Sequence, residues 1–262
     1  MSRAGIAVAI AVAAAGPAGA GGPLAHRAVG RVAVARLTPA ALRAVHAILR
    51  DDPLGDGLAD VGGWADDVRD DRPETKRWHF VDVPRDARGY DARRDCRRRA
   101  TGDCVVAAIA RSRAALRTAT GSARAEALKF LVHFVADAHQ PLHCTDDGDR
   151  GGNDVHVLLL GRPQNFHAVW DGGLFSSMKR SERALAARLE TLAGTSGVDD
   201  AGTVVDWVDE THAVGVREAY GTLPRDGVLD RAWVTARLPA AERQLARAAV
   251  RLARVLNETL SP

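Results

Sequence analysis

Apolar residues recur at three- and four-residue intervals along most of the chain, the spacing of amphipathic helices. The pattern predicts helices over 38–49, opened by a Thr-Pro start, and over 105–116, 123–138, 182–192, 204–220 and 240–256. Strand-like alternation is nearly absent. The exception is DVHVLLLG at 154–161, where β-branched and apolar residues follow a Gly-Gly-Asn turn and predict one short hairpin. The expectation is an all-α domain of about eight helices, with loops over 51–63, 82–95 and 145–166 and at most that one hairpin. No Gly/Ser/Pro-rich linker divides the chain, so a single multi-helix domain is expected.

One apolar block does not fit this scheme. Residues 4–15 (AGIAVAIAVAAA) follow Met1, Ser2 and Arg3, and the next five end on small residues at Ala18 and Ala20. This is the layout of a secretory signal cut after Ala20, leaving 21–262 as the domain. The block is shorter than the roughly 20 apolar residues that span a bilayer, and no later run is longer. An exported protein is expected, secreted or periplasmic, with no membrane anchor.

Charge narrows the partners. The 36 Lys and Arg against 33 Asp and Glu give a net charge of only +3, which offers little diffuse attraction for polyanions. Affinity for phosphate must therefore be local. The arginine cluster Arg93, Arg94, Arg97, Arg98 and Arg99 has no interleaved aromatic residues and reads as a solvated face. Cys96 and Cys104 bracket a short loop in a chain bound for an oxidising compartment, and a disulfide is expected between them. Cys144 is left over and reads as a small buried residue.

The chemistry concentrates in FLVHFVADAHQPLH, residues 130–143, where three histidines and an aspartate interrupt an apolar run. Buried without partners, each polar group would cost of order 2 to 7 kcal/mol. His133 and Asp137 are four residues apart, hence on one helix face, the spacing used when two side chains share a metal. Pro141 breaks the helix and lets His143 swing toward a neighbouring point. His139 faces elsewhere and reads as a core histidine; His46, His156 and His212 match no ligand position. His167 and Asp171 repeat the i, i+4 arrangement in NFHAVWD. Nitrogen and oxygen donors without thiolates suit zinc best among the common metals.

The order Asp66, His79, HFVADAHQPLH, GDRGGN (148–153) and HAVWD (167–171) resembles the S1/P1 nucleases, zinc-dependent enzymes of the phospholipase C/P1 nuclease fold acting on single-stranded nucleic acid. The resemblance spans residues 21 to 175. It implies an all-α fold with three zinc ions in one cleft: Asp66, His79, His133 and Asp137 at the first, His143, His167 and Asp171 at the second, with Asp137 bridging to the third. The family's mature chain begins with tryptophan, whose amino nitrogen and carbonyl oxygen ligate that third ion, followed by a ligating histidine. Gly21 and His26 occupy those positions in this sequence, and Ala25 replaces the usual glycine. Backbone atoms do the ligating, so Gly21 retains both donors.

The implied activity is hydrolysis of single-stranded DNA and RNA to 5′-phosphate products by a zinc-activated water, with 3′-nucleotidase activity, in a monomer without a stable protein partner. Asp66 and Arg69 are the expected catalytic residues, Arg69 lying three positions on and thus on nearly the same face, where it can offset phosphoryl charge. By the same resemblance Phe80 stacks a nucleobase, Asp82 bonds its edge, and Asn153 completes the pocket. Two alternatives remain at this stage: a zinc phospholipase C acting on lipid headgroups, and a secreted zinc-binding protein that has lost catalysis. Against the first, that family closes its second site with His and a glutamate four residues on, where Asp171 stands.

Overall fold

The computed structural model of the chain describes residues 22–261; the expected leader, its cleavage site and Gly21 lie outside them. Seven long helices dominate the described residues: α1 (Gly22–Val34), α2 (Pro39–Leu49), α3 (Val105–Thr118), α4 (Gly121–Asp137), α5 (Glu182–Ala193), α6 (Val204–Val214) and α7 (Arg231–Leu260). Short helical turns fill the connections, including the loops expected over 51–63 and 82–95. The fold is all-α, as the periodicity predicts.

Helix α4 is the axle. Every residue from Ala127 to Asp137 is buried, because α1, α2, α3 and α7 all pack against it. A helix surrounded in this way is apolar on all sides, which explains the continuous run in which its His and Asp stand out. The largest fully buried side chains, Trp170, Trp207, Phe134, Phe166 and Phe175, fill the space among these helices and the connections between them.

Two helices depart from the expected spans. Helix α1 is not among those predicted, although Ala25, Ala28, Val29, Val32 and Ala33 form a buried stripe at helical spacing; the glycines at 22 and 30 dilute that signal. Helix α7 starts at Arg231 rather than at residue 240. The Asp230 side chain accepts the Trp233 N–H at its N-terminus, and the helix continues through Pro239. An interior proline costs about 3 kcal/mol, which the buried stripe from Val234 to Leu260 outweighs.

The expected hairpin forms, with β1 (His156–Leu159) antiparallel to β2 (Arg162–Asn165). Leu160 and Gly161 both take positive φ, 50° and 80°, the backbone of a two-residue hairpin turn. A third strand departs from the expectation: β3 (Val228–Leu229) pairs in parallel with β1. Two residues carry too little pattern to announce a strand, and only the approach of the chain before α7 makes the pairing. The Cys96–Cys104 disulfide is present. Cys144 is buried and its thiol is pushed well up by that burial, which leaves it inert. No helix among the described residues is long and apolar enough to cross a membrane.

Gly30 sets how closely α1 meets the turn Leu58–Val61. A methyl group there would stand 2.8 Å from the backbone of Leu58 and Ala59, so one of the two segments would have to move. Gly30→Ala is expected to destabilise the protein by about 1 to 3 kcal/mol, read as a lower midpoint in urea. Because His26 lies one turn earlier on the same helix face, the same variant should also bind metal less tightly in a titration.

Candidate metal centre

Eight side chains from six segments converge at the C-terminal end of α4. Helix α1 contributes His26; the turn Trp64–Asp67 contributes Asp66; the 3₁₀ turn Pro73–His79 ends on His79. Helix α4 supplies His133 and, one turn on, Asp137. The chain then re-enters through the 3₁₀ turn Pro141–His143, started by Pro141 and capped by the Gln140 side chain on the Leu142 N–H. Beyond the hairpin, Asn165 accepts the Ala168 N–H and opens the helix Phe166–Ala168. That helix widens into a π-helical turn, Val169–Gly173, carrying Asp171; such turns often re-aim a side chain at a functional site. With His167 and Asp171 on this segment, the centre comprises nine expected positions, of which Gly21 lies outside the described residues.

Asp137 is 1% exposed and faces two ways. Its Oδ2 is 3.1 Å from His79 Nδ1 and 3.1 Å from His133 Nε2, while its Oδ1 is 3.0 Å from His26 Nε2 and 3.3 Å from His143 Nδ1. Asp66 Oδ1 lies 3.5 Å from His79 Nδ1 and 3.7 Å from His133 Nε2. On the far side His143 Nε2 is 3.5 Å from Asp171 Oδ1, and the His143 and His167 rings stack at 4.9 Å. Three groups are each compact enough to hold an ion: His26, His133 and Asp137; Asp66, His79 and His133; His143, His167 and Asp171. The first two share His133, whose one free nitrogen can serve only one of them.

Spacing and proton placement both fit a cation. Ligand bonds of about 2.0 Å around a tetrahedral ion place donors about 3.3 Å apart, in the middle of the distances observed. His133 Nδ1 is 2.7 Å from the Gly62 carbonyl oxygen, His143 Nδ1 2.9 Å from that of His79, and His167 Nδ1 2.9 Å from that of Gly151. A carbonyl can only accept, so each Nδ1 carries hydrogen and each Nε2 presents a lone pair to the interior. Lone pairs and carboxylates aimed at one another repel unless a positive charge lies between them. His79 is turned the opposite way: its Nδ1 faces the cluster and its Nε2 is buried without a hydrogen-bond partner.

The titration behaviour reflects the same demand. Burial would raise the Asp137 carboxyl, yet His133 and His143 outweigh it and hold the group well below the usual carboxylate range. Burial would lower His133, yet Asp137 and Asp66 lift it to about 9; Asp137 and Asp171 likewise lift His143 to about 10. Burial lowers His79 and His167, and the neighbouring charges on His133 and His143 add to it. Without an ion, histidine protons supply the charge the carboxylates require, and binding a metal must displace them.

Around this centre lie the other expected residues. Arg69 is half exposed, its Nη1 3.6 Å from Asp66 Oδ1. Phe80, Asp82 and Asn153 line one cavity of about 220 Å³ together with Arg77, Asp146, Arg150 and His167, so the expected pocket adjoins the second metal group. Asn153 holds the rim by donating to the Arg150 carbonyl at 2.9 Å. Arg77 was not singled out in the sequence. Its guanidinium sits 5.1 Å from the Phe80 ring centre and donates to Asp82 at 2.9 Å; its place two residues before His79 is the only signal that could have marked it. His139 is a core residue, as expected, placed between the Val135 carbonyl and the buried Arg251. His212 is also buried, against Thr145, while His46 and His156 lie at the surface. Trp64 and Trp78 pack edge-on against Phe130 behind the centre.

An all-α scaffold presenting His and Asp from successive turns around one buried carboxylate is a layout able to bind divalent metal. The chain belongs to the S1/P1 nuclease family, whose sequence profile matches residues 22–261. Endonuclease 2 of Arabidopsis thaliana is 29% identical over 256 residues, covering 88% of each chain. Nuclease S1 of Aspergillus oryzae is 34% identical over 156 residues, 57% of this chain and 53% of that protein. Nuclease P1 of Penicillium citrinum is 34% identical over 160 residues, 57% of this chain and 56% of that protein.

Asp137→Asn keeps the shape of this side chain and removes its charge. The variant is expected to bind divalent metal more than about 100-fold more weakly, with far-UV circular dichroism nearly unchanged because the core around α4 remains. Elemental analysis after dialysis checks it; a full metal load would show that the shared carboxylate is not what holds the ions.

Proposed function

We propose that the protein is an exported zinc-dependent nuclease that hydrolyses single-stranded DNA and RNA to 5′-phosphate products and removes 3′-phosphates from nucleotides. The observation that carries this reading is the juxtaposition of three metal-competent groups clustered around Asp137 with a cavity lined by Phe80 and Asp82. Family membership and the names of the relatives support it. The chemistry supplied by zinc in such a centre is Lewis-acid activation of a water nucleophile and neutralisation of phosphoryl charge.

The chain's own residues divide the remaining work. Asp66, His79, His133 and Asp137 would hold one ion, His143, His167 and Asp171 a second, and His26 with Asp137 a third. Cleavage after Ala20 would free the Gly21 amine, five positions ahead of His26, to complete that third site. The carbonyl oxygens of Gly62, His79 and Gly151 keep the Nε2 lone pairs of His133, His143 and His167 available. Arg69, anchored by Asp66 at the rim, offers a guanidinium to the phosphoryl oxygens. Phe80 offers a stacking face and Asp82 a polar edge to an unpaired base. A base within a duplex is already stacked and paired, so the same pocket selects single strands.

Zinc content of the exported protein, measured together with product release from a single-stranded oligonucleotide, tests the whole reading. Hydrolysis of phosphatidylcholine with no action on the oligonucleotide would overturn it in favour of a lipid-headgroup enzyme. Exported protein is expected to begin at Gly21 by N-terminal sequencing; full activity from a different first residue would remove Gly21 from the site. Phe80→Ala deletes the stacking face and no metal ligand. It should weaken single-strand binding by about 1 to 3 kcal/mol, roughly five- to 150-fold, while a small phosphodiester lacking a base is cleaved nearly as before. Equal losses on both substrates would make Phe80 a structural support instead.

A further inference from the structure

The arginine cluster read from the sequence as a solvated face has a different character once its surroundings are known. Arg93, Arg97, Arg98 and Arg99 are exposed, and among the described residues none of them forms an ion pair; Arg94 alone is neutralised, by Asp95. The nearby carboxylates are already taken. Asp103, inside the same loop, accepts both guanidinium nitrogens of Arg111, and Asp82 accepts Arg77. Three adjacent cations, Arg97, Arg98 and Arg99, are left without an ion-pair partner among the described residues, Arg97 donating only to the Arg93 carbonyl, an arrangement that costs repulsion unless anions visit it.

The loop that carries them is rigid and joined to the base pocket. The Cys96–Cys104 disulfide closes it, and Arg99 and Gly102 exchange backbone hydrogen bonds across its tip. Gly102 takes φ 104°, and a methyl group there would stand 2.6 Å from the Trp78 ring, so the loop lies directly on Trp78. Its base is fixed on both sides of the pocket segment: the Arg77 N–H donates to Thr101, and the Val105 N–H to the carbonyl of Phe80. Arg77, whose N–H the loop holds, in turn donates to Asp82 on the cavity wall.

We propose that the disulfide-closed loop 96–104 is a separate subsite for the substrate strand, where Arg97, Arg98 and Arg99 bind backbone phosphates of nucleotides beyond the one stacked on Phe80. The inference rests on the nuclease reading for the identity of the strand. Guanidinium forks suit phosphate oxygens, and a loop already fixed by a disulfide and by Trp78 loses little entropy on binding. Absence of aromatic side chains then becomes intelligible: this edge grips phosphates, and base stacking is left to Phe80. The subsite favours long strands over dinucleotides without regard to sequence.

The test compares the wild-type protein with the triple variant R97Q/R98Q/R99Q. Binding of a fluorescein-labelled phosphorothioate oligothymidylate is followed by anisotropy between about 50 and 200 mM salt. Each phosphate contact on a single strand contributes about 0.7 to the slope of log affinity against log salt, so the variant should lose about 2 in slope. Its affinity should fall roughly tenfold at the lower salt, and kcat/KM should fall several-fold more on an oligonucleotide than on a dinucleotide. The variant R97K/R98K/R99K, which keeps the charge, should keep most of the slope and guards against a folding defect. Unchanged slope in the glutamine variant, or equal losses on long and short substrates, would overturn the subsite. If the wild type binds the strand through these arginines yet cleaves nothing, the nuclease reading fails and the subsite stands.

Discussion

A carboxylate with no access to water, surrounded by imidazoles, is the constraint on which the rest of the molecule depends. Asp137 contacts His26, His79, His133 and His143 through its two oxygens, and the charge it retains when buried must be balanced locally. That balance is built from α4 itself and three separate segments around it. The helix can carry such a group at its C-terminal end only because the chain turns back at once through Pro141 and brings His143 to the second oxygen. Remove the carboxylate and the surrounding imidazoles lose their common partner.

Packing serves this arrangement in a specific way. Helix α4 is buried over its last three turns, so its end is held by helices on every side and cannot adjust to an ion; the ion must fit it. Backbone carbonyls of Gly62, His79 and Gly151 hold three imidazoles in one tautomer. Each of those carbonyls belongs to a turn whose own position is set elsewhere: Gly62 beside α1, His79 at the end of a 3₁₀ turn, Gly151 in the loop before β1. Orientation of the ligands is thus delegated to tertiary contacts of the main chain.

Base pocket and metal groups share one wall. His79 faces the centre while Phe80, the next residue, faces the cavity, and His167 borders both. Extended backbone at Phe80 sends successive side chains in opposite directions, so a single short segment lines both the cavity and the metal-competent groups. Arg77, on the same segment, holds Asp82 and covers part of Phe80, and the loop 96–104 lies against its other side. His79, the cavity residues Arg77, Phe80 and Asp82, and the arginine loop are therefore all carried by one stretch of chain between Pro73 and Val105.

Half of the candidate donors were legible from the residues themselves, the others only through the family resemblance, because chemistry of this kind leaves two marks: polar residues in an apolar run, and pairs four residues apart. His133 with Asp137 and His167 with Asp171 show both. The all-α class and the hairpin were equally legible, since periodicity is a local property. Helix α1 and the start of α7 were not, because Gly22, Gly30 and Pro239 weaken the local signal that burial later overrides. The two-residue strand β3 exists only because distant chain meets β1. Backbone carbonyls that hold the histidines have no side-chain signature at all, and Arg77 and the free cations of loop 96–104 acquire meaning only from which carboxylates are already paired. Sequence determined the donors and their local spacing, since residue type and helical geometry suffice for that. Tertiary structure decided which donors share an oxygen, which tautomers they adopt and which charges stay unbalanced, since those depend on distances between segments far apart in the chain.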